Sequence, residues 1–320
     1  MNAKRSQRTV CWSTGFFLML AVVAQADDWT WEERVGKSLA LKSADAVVWQ
    51  FNFGPEQPKP HFHPVALPDG RVVTWDRPPD HVWHHGLWFS WKYIAGLNYW
   101  EPDRKTGKPQ GSTEWANVKT TTRQDHTARI EMDLTYRPPD GQAVMTEKRI
   151  VEISAPDERG QYHLDWTCTF TAGDKDVVLD RTPLVGEPGG APWGGYAGLS
   201  IRLAKDLTER GATTPDGPIE FSDQSTYRGK STAMDYHGLI DGQPVGVAVC
   251  DHPDNLNHPT PWYAIRGQPM SYFSPAVICY GPHTLEAKQS LTLRYRVLVH
   301  PERWDADRLK QECQRFIRPQ

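Results

Sequence analysis

The chain is written largely in period-two stretches. Tyr162 to Thr171 sets Leu164, Trp166, Cys168 and Phe170 against His163, Asp165, Thr167 and Thr169, the alternation of an antiparallel strand with one face buried and one wetted. Gln289 to His300 repeats the style, with Leu291, Leu293, Tyr295, Val297 and Val299 on its apolar side. Further strands are predicted over 38–53, 72–75, 86–94, 118–136, 144–154, 198–203, 231–236, 245–250, 262–265 and 276–280. Pro138-Pro139-Asp140-Gly141 predicts a hairpin turn between two of them, because Pro fixes φ and Gly accepts φ > 0. Only Asp305 to Ile317 has helical spacing, with Leu309, Cys313, Phe316 and Ile317 on one stripe. Long strands, short turns and one terminal helix predict an all-β protein, a large antiparallel β-sandwich with a short C-terminal helix.

The first 26 residues break this pattern. Lys4, Arg5 and Arg8 precede an apolar run from Val10 to Ala24, and Ala24-Gln25-Ala26 is a small-x-small cleavage site. An apolar core of about 15 residues is short for a spanning helix, which needs ~20. An export signal over 1–26 and one β-sandwich domain over 27–320 are therefore expected, in the periplasm or secreted. No second long apolar run follows, so no integral membrane span is expected after cleavage.

The signal carries three of the 36 Lys+Arg and none of the 39 Asp+Glu, leaving 33 basic against 39 acidic residues. A mildly acidic chain without basic clusters argues against nucleic acid or anionic lipid and favours a neutral or cationic small substrate. Neither GxGxxG nor a Walker loop occurs, so no nucleotide cofactor is expected. Cys168, Cys250, Cys279 and Cys313 remain after the signal and permit three pairings. The first three lie in apolar strand-like runs, which predicts small buried hydrophobes.

Chemistry-bearing residues concentrate between Pro60 and Phe89, where five of the twelve histidines, three aspartates and three tryptophans fall within thirty residues. His61 and His63 are two apart; in an extended run both project from one face and can offer two imidazoles to one metal, or hydrogen-bond the backbone of a Pro-flanked loop. His84 and His85 are adjacent, so a strand would point them to opposite sides: one faces the cleft, the other is packed behind it. Asp80 can orient an imidazole and fix its tautomer. Asp251, His252 and Asn255 follow an apolar strand at its C-terminal end, a common place for binding groups. Trp83, Trp100 and Trp115 stand beside charged or turn residues, where an indole face can stack on a pyranose; Glu101 follows Tyr99-Trp100.

Pro60-His61-Phe62-His63-Pro64-Val65, Leu67-Pro68-Asp69-Gly70, the run Asp80 to Trp91, Gly96-Leu97-Asn98-Tyr99-Trp100-Glu101 and Asp251-His252-Pro253-Asp254-Asn255 together resemble the bacterial exported family labelled "PmoA-like". The likeness extends over nearly the whole chain after the signal. The methane monooxygenase subunit of that name has several membrane spans, which this sequence lacks, so methane oxidation is not expected. What the resemblance implies is a β-sandwich from glycan-degrading bacteria and carbohydrate chemistry. The strand pattern also resembles galactose-mutarotase-like supersandwich proteins, which implies His and Glu as acid and base on a sugar.

The reading is an exported carbohydrate-active enzyme that cleaves a glycosidic bond of a 3-keto glycoside, as lyase or hydrolase, with a His-bound divalent metal and acid–base catalysis. Catalytic roles fall to His85, Asp80, Asp251 and Glu101. Sugar contacts fall to Trp83, Trp115, Trp100 and Asn255, and metal ligation to His61, His63, His84 and His252. Two rivals stay open: a metal-free epimerase of mutarotase type, and a non-catalytic glycan-binding module.

Overall fold

The computed structural model describes residues 29–139 and 141–318; the expected signal, its cleavage site and Asp140 of the expected turn lie outside them. Two nine-stranded antiparallel sheets carry the fold. The first runs Trp29–Arg34, Ser38–Ser43, Ala46–Asn52, His61–Val65, Leu87–Ser90, Gly198–Arg202, Ser271–Pro275, Pro261–Arg266, Thr226–Lys230. The second runs Gly217–Pro218, Thr208–Thr214, Ala233–Ile240, Gln243–Asp251, Ser290–His300, Tyr162–Ala172, Met145–Ile153, Ala128–Arg137, Ser112–Thr122. A four-stranded sheet built from Tyr93–Ile94, Leu97–Asn98, Val177–Asp180 and His283–Leu285 completes the β structure. No helix among the described residues is long and apolar enough to cross a membrane.

The alternation read in Tyr162–Ala172 holds: its odd and even positions are half-exposed and buried in strict turn. Its even positions pack inward beside Leu293, Tyr295 and Val297 of the neighbouring strand. The Pro-Pro-x-Gly segment does join a hairpin, with Tyr136 opposite Met145. Two expected long strands each divide. The 38–53 stretch turns at Ala44, which sits at φ 48, and 118–136 lies in two strands joined by a turn over 123–127. The segment 276–280, expected as a strand from its apolar content, is a turn, because Ser271–Pro275 already occupies that sheet position. Val72 to Trp75 makes only isolated bridges.

The C-terminal helix Ala306–Ile317 begins at Asp305, whose carboxylate accepts from the Arg308 backbone N–H, an N-cap that occupies one otherwise unpaired donor. Its buried stripe carries Cys313, which forms a disulfide with Cys250 of the second sheet across 63 residues. Cys250 is therefore a cross-link and not the plain buried hydrophobe expected; Cys168 and Cys279 are free and buried, as expected.

Candidate functional site

Alternation in the first sheet separates two aromatic populations. Phe62, Leu87, Phe89, Leu199, Ile201, Phe273 and Trp262 face the second sheet and belong to the main core. The residues between them face outward: His61, Trp88, Ser200, Arg202, Tyr272 and Tyr263. Trp88, Tyr263 and Tyr272 form a separate cluster with Trp100, against which Trp83, Tyr196 and Met270 pack. A sheet face open to water would not bury such residues; this one is roofed by the connections 75–86, 99–111, 181–197 and 267–270.

Beneath that roof lies a cavity of about 440 Å³ lined by Asp80, His81, Trp83, His84, Trp100, Glu101, Arg104, Trp193, Tyr196, Tyr263 and Tyr272, with Ile265 and Met270. Six aromatic rings and a few ionisable groups in a concave site match the general composition of a small-molecule pocket. His81 donates from Nδ1 to Asp80 Oδ2 at 2.9 Å, which leaves Nε2 as its other working nitrogen. The same carboxylate takes the fully buried Arg202 guanidinium at 2.8 and 2.9 Å. Burial pushes the Asp80 carboxyl up, but Arg202 and His81 together hold it below the usual range.

The His84 ring stacks 4.7 Å from His81 and lies 5.1 Å from Trp88 and 5.5 Å from Tyr272. Burial, then the neighbouring His81 and Arg202, hold its pKa well below the ordinary imidazole range, and its Nδ1 has no hydrogen-bond partner among the described residues. Opposite, Glu101 is paired through Oε1 with the Lys92 ammonium, and its buried Oε2 has no partner among the described residues. Lys59 reaches the Trp100 carbonyl at 3.0 Å; burial brings its pKa down to about 8.

His84 and His85 precede the strand Leu87–Ser90 and do not lie in it. His85 stays on the same outer face, its ring 6.3 Å from Trp88, but turns from the cavity toward the strand His61–Val65. There it meets His61 (ring centroids 5.1 Å apart) and Asp76. His61, Asp76 and His85 are the described residues whose grouping can hold a metal. Burial and then His85 lower the His61 pKa to about 4, while burial lowers His85 despite the Asp76 carboxylate. His63 lies beside this group, its Nδ1 3.0 Å from the Thr74 hydroxyl. Gly86 makes the approach feasible: at φ +70 it lies so close to the Phe62 carbonyl that a Cβ would stand 2.6 Å from that oxygen.

Other expected site residues lie elsewhere. Asp251 is fully buried at the end of its strand, accepting from Asn255 (2.7 Å), His258 (2.7 Å) and the Thr260 backbone (3.1 Å). Asn255 also exchanges two hydrogen bonds with the Arg294 backbone. Both serve to pin a loop, which corrects their reading as catalytic and sugar-binding groups; polar residues after a strand fit either role in sequence. His252 packs edge-on against Phe316 of the helix, ring centroids 5.5 Å apart, and does not join His61 and His85. Trp115 donates to the Phe53 carbonyl at 2.8 Å and lines a different, more open cleft. His84 faces the aromatic cavity and not the His61 group, which corrects its place among the ligands. Asp76, His81, Arg202 and Tyr272 are the site residues that sequence reasoning left without a role. His81 could have been found from its place beside Asp80, but Arg202 and Tyr272 are recruited from strands more than a hundred residues away.

The fold and this face define a large antiparallel β-sandwich with an aromatic, imidazole-lined cleft on the outer side of one sheet. The chain belongs to the DUF6807 family, a family of unknown function, which matches residues 38–314. No curated protein matches it. Among solved structures, the galactosidase domain of an alpha-galactosidase-sucrose kinase is similar over 83% of this chain and 40% of its own, with 7% identity and a TM-score of 0.34. This chain thus spans less than half the length of that protein. A galactose mutarotase related enzyme from Lactobacillus acidophilus is similar over 85% of this chain and 97% of its own, with 10% identity and a TM-score of 0.28.

Proposed function

We propose that the protein is a carbohydrate-active enzyme that moves a proton on a sugar bound in the aromatic cavity, with His81 as the base. One observation carries this: an imidazole held by a carboxylate lines a cavity of about 440 Å³ walled by Trp83, Trp100, Trp193, Tyr196, Tyr263 and Tyr272. The volume suits a small sugar, and indole and phenol rings present faces to pyranose C–H bonds and polar edges to hydroxyls. Two-carboxylate glycoside hydrolysis needs one carboxyl free to ionise and one protonated. Asp80 and Glu101 are instead each committed to a cation, Arg202 and Lys92, which favours imidazole chemistry.

The reaction proposed is cleavage of a glycosidic bond in a 3-keto glycoside by elimination. The ketone acidifies the C2 proton; His81 takes that proton, the C–H electron pair becomes the C1=C2 bond, and the C1–O bond breaks. The leaving oxygen takes a proton from solvent. Positioned acid–base groups contribute on the order of 10²–10⁴-fold to such a step. The presence of both His81 and Glu101 in one cavity favours a second reading, anomer interconversion by an acid–base pair.

The test is proton NMR of the purified protein with 3-keto glycosides, ordinary glycosides and freshly dissolved free sugars. Release of the aglycone from the keto substrate alone, lost in folded His81→Gln, supports elimination. Accelerated anomer exchange without cleavage supports the second reading. Sugar binding with no product over long incubation overturns both and leaves a glycan-binding module.

A further inference from the structure

We infer that His61, Asp76 and His85 form a binding site for one divalent transition-metal ion, beside the aromatic cavity and separate from it. Three ligand atoms, one from each residue, lie within 4.8 Å of one another. Asp76 Oδ1 stands 3.1 Å from His85 Nδ1 and 3.8 Å from His61 Nε2. Two donors about 2.1 Å from a common ion stand roughly 3.4 Å apart in tetrahedral geometry, so the observed spacings bracket what a shared ion would need.

The hydrogen bonds around the group aim its ligand atoms at one another. His61 donates from Nδ1 to the Lys59 carbonyl at 2.9 Å, which places its proton there and turns the Nε2 lone pair toward Asp76. Backbone carbonyls hold ligating histidines in this way because the bond fixes tautomer and ring orientation. The Arg77 guanidinium lies 3.6 Å from Asp76 Oδ2, on the oxygen that faces away from the imidazoles. The His61 Nε2 lone pair therefore faces a carboxylate oxygen in a largely buried place, and an ion bound there would displace the proton that His85 Nδ1 donates to that oxygen. His85 Nε2 is buried and has no hydrogen-bond partner among the described residues.

The ligands also come from rigid backbone. His61 lies in the strand His61–Val65 and pairs with Trp88, and Asp76 and His85 form an antiparallel bridge. Two nitrogens and one carboxylate suit Zn²⁺, Co²⁺ or Fe²⁺; Mg²⁺ and Ca²⁺ take oxygen shells. Three protein ligands leave room for a further one, and Asp76, at 21% side-chain exposure against 2% and 1% for the imidazoles, marks the open side.

The inference does not depend on the sugar reading, and its test measures no turnover. Chelator-stripped protein is titrated with Co²⁺, followed by its visible absorption, and with Zn²⁺ by calorimetry. One ion per chain is expected. The affinity of His61→Ala, His85→Ala and Asp76→Asn should fall by more than the ~10–100-fold that loss of a partner outside the ligand set costs. Trp115→Ala, in the other cleft, should bind as the wild type does. Circular dichroism establishes that each variant is folded; His85→Gln replaces any that is not. Folded wild-type protein that takes up no stoichiometric Co²⁺ or Zn²⁺, or binding unchanged in the folded variants, overturns the site.

Discussion

His61 shows how burial shapes one side chain's behaviour. Its folded pKa lies near 4 against an ordinary 6.5, so the unfolded chain binds the proton more readily than the native one. The sign follows: stability is complete above pH 6.5 and is lost as pH falls through about 4. The shift corresponds to roughly 3 kcal/mol, and His84 and His85, lowered in the same direction, steepen the loss. Urea unfolding of chelator-treated protein should show stability declining across that window, less steeply in His61→Asn; a flat profile would contradict it. Asp80 serves two partners at once. Asp80→Asn should weaken the hold on His81 and leave Arg202 without its anion, costing about 1.5–3 kcal/mol by thermal unfolding and lowering any His81-dependent turnover by 10²-fold or more.

Among the elements, the cross-link between Gln243–Asp251 and the helix is the most consequential. A closed loop of 63 residues corresponds to about 4 kcal/mol of unfolded-state entropy. Cys313→Ala should lose about 2–4 kcal/mol in chemical denaturation, and reduction of the wild type should lose a similar amount. If both leave stability unchanged, the helix is held by the packing of Trp304 and Leu309 alone.

Elements with one wetted face were the legible ones. Tyr162–Ala172 could be read because its polar positions are half-exposed; Ser290–His300 could be read from its apolar face, although Arg296, Leu298 and His300 on its other face are buried. Met145–Ile153 could not be oriented, since Glu147 and Arg149 occupy inward positions where apolar residues are the rule. The separate surroundings of His84 and His85 did not follow from period two, since neither residue lies in a strand. What period two cannot supply is which distant strand lies opposite; hence Asp251 and His252 were matched to a site on the other sheet, and Asp76 was passed over.

Across the whole molecule, the two sheets share a core that contains a charge pair. Arg149 meets Glu147 at 2.6 Å with both side chains essentially unexposed; Tyr136 also donates to Glu147, and the guanidinium lies over Phe89 and Trp166. Removing one partner of such a pair strands the other, at about 3–5 kcal/mol, whereas replacing both by apolar residues of similar volume is far milder. Glu147→Ala should therefore destabilise far more than the double change Glu147→Leu with Arg149→Met, as read from denaturation midpoints.

The first sheet acts as a party wall. In its strands Leu87–Ser90, Gly198–Arg202 and Ser271–Pro275, positions 87, 89, 199, 201 and 273 belong to the interior and 88, 200, 202 and 272 to the outer face, which floors the cleft at Tyr272. Each set can mutate without disturbing the other, so a lineage can change what it binds while keeping how it folds. A single inserted or deleted residue inside Leu87–Ser90 has no such freedom, since it would exchange the two sides at once. Length variation among relatives should accordingly fall in the roofing connections, and changes of ligand should be written at the cleft positions.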